Sequence, residues 1–127
     1  MIARTVAGAG AVSLVVACGA PEAPPRAPEL ARYALVVTTV SIGQGTDPDA
    51  RRKFETILDR FERDNGVRLS VRSADWGKEG EEDYCYPLSE VPPAKAKALV
   101  QELRASFAGN EMLTIAEDAP CRESKNR

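Results

Sequence analysis

Residues 33–72 read YALVVTTVSIGQGTDPDARRKFETILDRFERDNGVRLSVR, and the changes of hydrophobic period inside that run decide the fold. Residues 33–42 are rich in β-branched side chains and almost continuously apolar, the pattern of a central strand covered at least in part on both faces. Gly43-Gln44-Gly45-Thr46 breaks it. Asp47-Pro48 then opens a helix, with Asp as the N-cap and Pro at the first helical position. Phe54, Ile57, Leu58 and Phe61 recur at i, i+3, i+4 and i+7, so they form one apolar stripe. Arg51 with Glu55, and Asp59 with Arg63, stand four apart and pair on the wet side. Asn65-Gly66 stops the helix, because glycine takes the left-handed cap without strain. Val67, Leu69 and Val71 alternate with Arg68, Ser70 and Arg72, which predicts a half-buried strand over 67–72.

The rest of the chain repeats the theme. Residues 77–82 are a polar turn, and 83–88 a return strand. Pro87 cannot donate to a ladder, so that strand ends at Tyr86 or is bulged there. Pro92-Pro93 starts a second helix, with Ala96, Leu99, Val100, Leu103 and Phe107 on one face and Gly109 at its end. Residues 112–116 are a last short strand, and 122–127 a charged tail expected to fray. The order is β-α-β-β-α-β, which predicts an α+β fold of the ferredoxin-like split βαβ type. In it two helices lie on one face of a four-stranded antiparallel sheet. The single domain is expected over 33–121.

The N-terminal segment is of another kind. Arg4 is followed by an uncharged run from Val6 to Ala17, ending Leu14-Val15-Val16-Ala17-Cys18. Twelve residues of helix span about 18 Å, whereas a bilayer core takes about 20 apolar residues to cross. The run is too short for a permanent span and suits a signal h-region. With Cys18 at its end it resembles the lipobox of bacterial lipoproteins, though Val16 stands where Ala or Ser is usual. The resemblance covers about the first 20 residues. It implies removal of residues 1–17, lipidation of Cys18 and attachment to a membrane by lipid, outside the cytoplasm. Gly19, in place of Asp, resembles lipoproteins sent to the outer membrane, facing the periplasm, in a two-membrane cell. Signal cleavage after Ala20, giving a free secreted protein, is the other reading. Residues 18–32 then form a lipidated cysteine and a tether. Residues 19–29 hold four of the nine prolines, favour extended polyproline II, and reach about 30 Å.

The formal charge is −2 in 127 residues, which disfavours nucleic acid, whose phosphates ask for a basic face. The chain has no histidine, the usual general base and commonest metal ligand. With Cys18 spent on lipid, Cys85 and Cys121 are an even pair, read as a disulfide in an oxidising compartment. The bridge closes a loop of 37 residues and contributes about 3–4 kcal/mol. It sits awkwardly with the fold. Cys85 is expected near the start of the third strand and Cys121 beyond the fourth, at opposite ends of the sheet.

Candidate chemistry is sparse. Gly43 and Gly45 precede a helix N-terminus, and Arg51 and Arg52 follow in its first turn and a half. Such turns can offer backbone N–H groups to an anion, so these four residues are a candidate anion site. Pairing of the arginines with Asp47, Asp49 and Glu55 competes with that reading. Two glycines make neither a P-loop nor a dinucleotide fingerprint. Asp75, Glu79, Glu81, Glu82 and Asp83 lack the alternating spacing of a calcium loop and read as a solvated hairpin tip. Trp76, Tyr84 and Tyr86 flank the same hairpin; they are cross-strand packing if buried and a candidate interface if exposed. No serine has a histidine to activate it. No catalytic set, cofactor or metal is implied. The expectation is a binding or accessory role toward another envelope protein. The alternative is a phosphate-binding protein or hydrolase built on residues 43–47.

Overall fold

A computed structural model describes residues 30–125 continuously, with residues 8, 10, 11, 15 and 18–21. The elements are β1 (Arg32–Thr39), α1 (Pro48–Asn65), β2 (Arg72–Asp75), β3 (Glu82–Tyr86), α2 (Pro93–Ser106) and β4 (Leu113–Pro120). They form one antiparallel sheet in the order β2-β3-β1-β4, the ferredoxin-like arrangement.

β1 is central, and alternation splits its side chains between two cores. Leu35 and Val37 enter the main core with Phe54, Ile57 and Leu58 of α1, Leu99 and Leu103 of α2, and Leu113 of β4. Val36 points the other way, into a smaller cluster with Ala74, Cys85 and Cys121. Both helices therefore cover one face, and the second face is nearly free of them. Leu35, Leu99, Leu103 and Leu113 are fully buried, each contributing about 2 kcal/mol by removal from water.

The helix ends follow their sequence signals. The Asp47 carboxylate accepts from the N–H groups of Asp49 (2.9 Å) and Ala50 (3.2 Å). Gly66 at φ 62° takes the left-handed cap and donates to Arg63. The third strand ends at Tyr86, immediately before Pro87.

Three expectations are corrected. The alternating residues 67–71 are not a strand; β2 begins at Arg72. The Leu69 and Ser70 N–H groups donate to the carboxylates of Glu62 and Glu90, each at 2.9 Å, so side chains hold the amides that a ladder would use. The fourth strand is longer than expected, reaching Pro120. Its pairing with β1 runs in constant register and skips only Ala34, beside Asp118 at φ 44°. Residues 122–125 of the expected tail lie docked on the domain. After Pro120 the chain turns back across the helix-free face and docks on the edge strand β2. There the Asp75 N–H donates to Ser124 Oγ (3.2 Å) and the Asp75 carbonyl accepts from the Lys125 N–H (3.0 Å). The last two residues of the expected tail lie outside the described residues, as do most of the signal segment and tether.

The turn-back also removes the difficulty with the cysteines. Cys85 is the penultimate residue of β3, not near its start, and Cys121 returns over the sheet to meet it. The two are disulfide-bonded, with Cα atoms 6.0 Å apart.

Candidate functional site

The helix-free face carries the most organised group of polar side chains. Alternation along β3 sends Asp83 and Cys85 to this face, and Tyr84 and Tyr86 to the helices. Asp83 is 1% exposed, so the reading of its cluster as a solvated hairpin tip fails at this residue. A buried carboxylate needs partners, and Asp83 has three. Its oxygens accept from the Thr38 hydroxyl (2.8 Å), the Arg122 backbone N–H (3.1 Å) and the Arg122 guanidinium (2.7 Å). Two of the three come from the returning C-terminal strap.

Arg122 is half-exposed and lies over Trp76, its guanidinium carbon 4.3 Å from the ring centroid. A cation stacked so close to an indole is held by the ring quadrupole. The Trp76 Nε1–H is buried and has no hydrogen-bond partner among the described residues. Beside the stack runs a groove of about 410 Å³ whose floor includes Val36, Thr38, Val40 and Ala116. Small and β-branched side chains make that floor shallow and largely apolar.

The three candidate interface aromatics do not form one patch. Trp76 sits on the helix-free face. Tyr84 and Tyr86 pack under α1, with ring centroids 5.9 and 6.3 Å from Phe54. Burial, reinforced for Tyr84 by the neighbouring Glu82 carboxylate and for Tyr86 by Glu62, pushes both phenols well above their ordinary range. Tyr86 is a core residue, and Tyr84 is partly buried against that core.

The turn at Gly43 and Gly45 is satisfied within the chain. Both glycines have positive φ, and both N–H groups donate to the Ser41 hydroxyl, at 3.2 and 3.0 Å. Ser41 in turn donates to Glu79. Arg51 reaches Glu55 (3.2 Å) and Glu82 (3.9 Å) and lies over the Tyr84 ring, while Arg52 pairs with Asp49. A depression of about 500 Å³ adjoins the turn, but its lining includes Asp47, a negative wall. The four candidate anion-binding residues thus already have partners within the chain.

Cys18 is exposed. Among the described residues, no helix is long and apolar enough to cross a membrane. Sequence reasoning missed Asp83 and Arg122 as a pair. The one usable signal was the i, i+2 spacing of Asp83 and Cys85, which puts a carboxylate on the face that the disulfide closes. Comparison with family models, with curated proteins and with solved structures finds no match.

Proposed function

We propose that the chain is a small lipid-anchored protein of the bacterial cell envelope whose domain binds another envelope protein. The observation that carries this reading is the Trp76–Arg122 stack beside the groove on the helix-free face. Tryptophan and arginine are the residue types that most often dominate binding energy at protein interfaces. The exposed half of Arg122 offers donors to a carboxylate or carbonyl of the partner. The groove floor of Val36, Val40 and Ala116 receives an apolar side chain.

The lipobox resemblance supplies the anchor, and the proline-rich segment supplies reach. Together they confine the domain to a layer about 30 Å deep above the headgroups, which raises its effective concentration toward membrane-bound partners.

The test is crosslinking in native envelopes, with wild type, Trp76→Ala and Lys97→Ala compared. Lys97 lies on the helix side. The crosslinked product should be retained in the Lys97 variant and lost in the Trp76 variant, with circular dichroism unchanged in both. Equal crosslinking in all three would defeat the reading. The anchor is tested by the mass of the mature N-terminus, which should carry acyl chains on Cys18.

A further inference from the structure

We infer that the disulfide and the carboxylate beside it form, when the disulfide is reduced, a binding site for a thiophilic divalent cation of the zinc class. The ligands are Asp83, Cys85 and Cys121. One ligand atom from each lies within 4.8 Å of the other two. All three residues are buried, at 1%, 0% and 6% exposure.

The geometry follows from the fold. Asp83 and Cys85 are two apart on β3, so both project from the helix-free face. Cys121 comes to them on the strap. A tetrahedral ion with Zn–S near about 2.3 Å and Zn–O near about 2.1 Å keeps its ligand atoms about 3.5–3.8 Å apart. A cysteine pair with Cα atoms 6.0 Å apart spans that with small side-chain rotations once the S–S bond is broken. The carboxylate is already oriented by hydrogen bonds from Thr38 and Arg122, the outer support that ligating carboxylates require. The groove lined by Asp83, Thr38 and Arg122 is the way in.

Charge decides which cation fits. In the oxidised protein Asp83 and Arg122 balance. On reduction, a dithiol donor gives two electrons and two protons, closes its own disulfide, and leaves two thiols on this chain. A divalent cation then displaces both protons. Two thiolates, one carboxylate, the Arg122 guanidinium and a 2+ ion sum to zero. A buried site holding an uncompensated charge would be costly, and a divalent ion leaves none. Two sulfur ligands with a single oxygen select zinc-like ions over calcium or magnesium.

The experiment uses the full-length chain with Cys18→Ser, which leaves Cys85 and Cys121 as its only thiols. It is reduced anaerobically with a phosphine, which takes up oxygen from water as its oxide, and then titrated with Co²⁺ as a spectroscopic substitute for zinc. The expected result is one ion per chain, with a thiolate-to-metal absorption band that Zn²⁺ abolishes by displacement. The oxidised protein should show no band. Asp83→Asn should weaken binding at least about tenfold, and Cys85→Ser should remove the band. Zn²⁺ should also raise the unfolding temperature of the reduced chain, since a ligand that binds the folded state stabilises it by mass action. That readout needs no further variant. No band in the reduced protein, a lowered unfolding temperature with Zn²⁺, or affinity unchanged in Asp83→Asn would each overturn the inference.

Discussion

Replacing both bridge cysteines, Cys85→Ala with Cys121→Ala, tests how the C-terminal strap is held. The bridge joins residues 36 apart in sequence. On the loop-entropy relation its loss lowers stability by about 4 kcal/mol, with up to about 1 kcal/mol more for the space left at fully buried Cys85. A domain of this size has about 5–15 kcal/mol in all, so the variant should fold but melt on the order of 20 °C lower. The local consequence is larger than the global one. Without the bridge, the strap is held mainly by two hydrogen bonds from Arg122 to Asp83 and two between Asp75 and residues 124–125; the exposed Lys125 bond to the Gly77 carbonyl and the Arg72–Glu123 ion pair add little. The charge-assisted pair supplies about 3–6 kcal/mol and the neutral pair about 1–3 kcal/mol. Ordering five residues costs about 5–10 kcal/mol in backbone entropy. The two sides nearly cancel, so the unbridged strap should be open for much of the time.

The chain has one tryptophan, and it lies directly beneath Arg122. Its fluorescence therefore reports on the strap. In the double variant the Trp76 emission should shift to the red at native pH, and the Asp75 amide should lose protection from hydrogen exchange. The amides pairing β1 with β3 and β4 should keep theirs. Urea titration gives the global term. A stability loss under about 1 kcal/mol, or an unchanged Trp76 spectrum with Asp75 still protected, would refute the reasoning.

Asp47→Ala removes the acceptor for the Asp49 and Ala50 N–H groups and should cost about 1 kcal/mol in urea unfolding; no change would mean that solvent caps α1 equally well. Tyr84 and Tyr86 have raised pKa values in the folded state, so their contribution to stability is complete below the unfolded phenol pKa of about 10 and declines as pH rises past it, because only the unfolded chain ionises there. Phenolate absorbance from these two should arrive together with the loss of circular dichroism on alkaline titration, and ionisation ahead of unfolding would contradict their packing in and against the core.

The strand order was legible because each helix and its flanking strands carry strong local signals: the Asp47-Pro48 start, the Phe54–Phe61 stripe and the Gly66 stop. The second strand was misplaced for a reason that no local pattern contains. Residues 67–71 alternate as a strand should, but Glu62, one turn from the end of α1, and Glu90, beyond β3, take their amides. Residues 72–75 show no apolar alternation; only the ladder to β3 makes them a strand. Tertiary partners outweighed propensity at both places.

The helix-free face was legible only in pieces, and the missing step was topological. In a four-stranded sheet with both helices on one side, the second side needs some cover if its residues are apolar. Val36, Ala74 and Cys85 are apolar, and all three point there. Once Cys85 is assigned to that face by its alternation with Tyr84 and Tyr86, its disulfide partner must come from a segment lying over the sheet. Cys121 is that partner, so the residues after it leave from above the sheet, beside Asp83, and not from its end. Asp83 follows by the same alternation, since a carboxylate two residues from Cys85 shares its face and its cover. The cation nearest the bridge in sequence is Arg122. Periodicity along β3 taken together with the cysteine pair therefore leads to Asp83 and Arg122, whereas either feature alone leads only to a strand or a bridge.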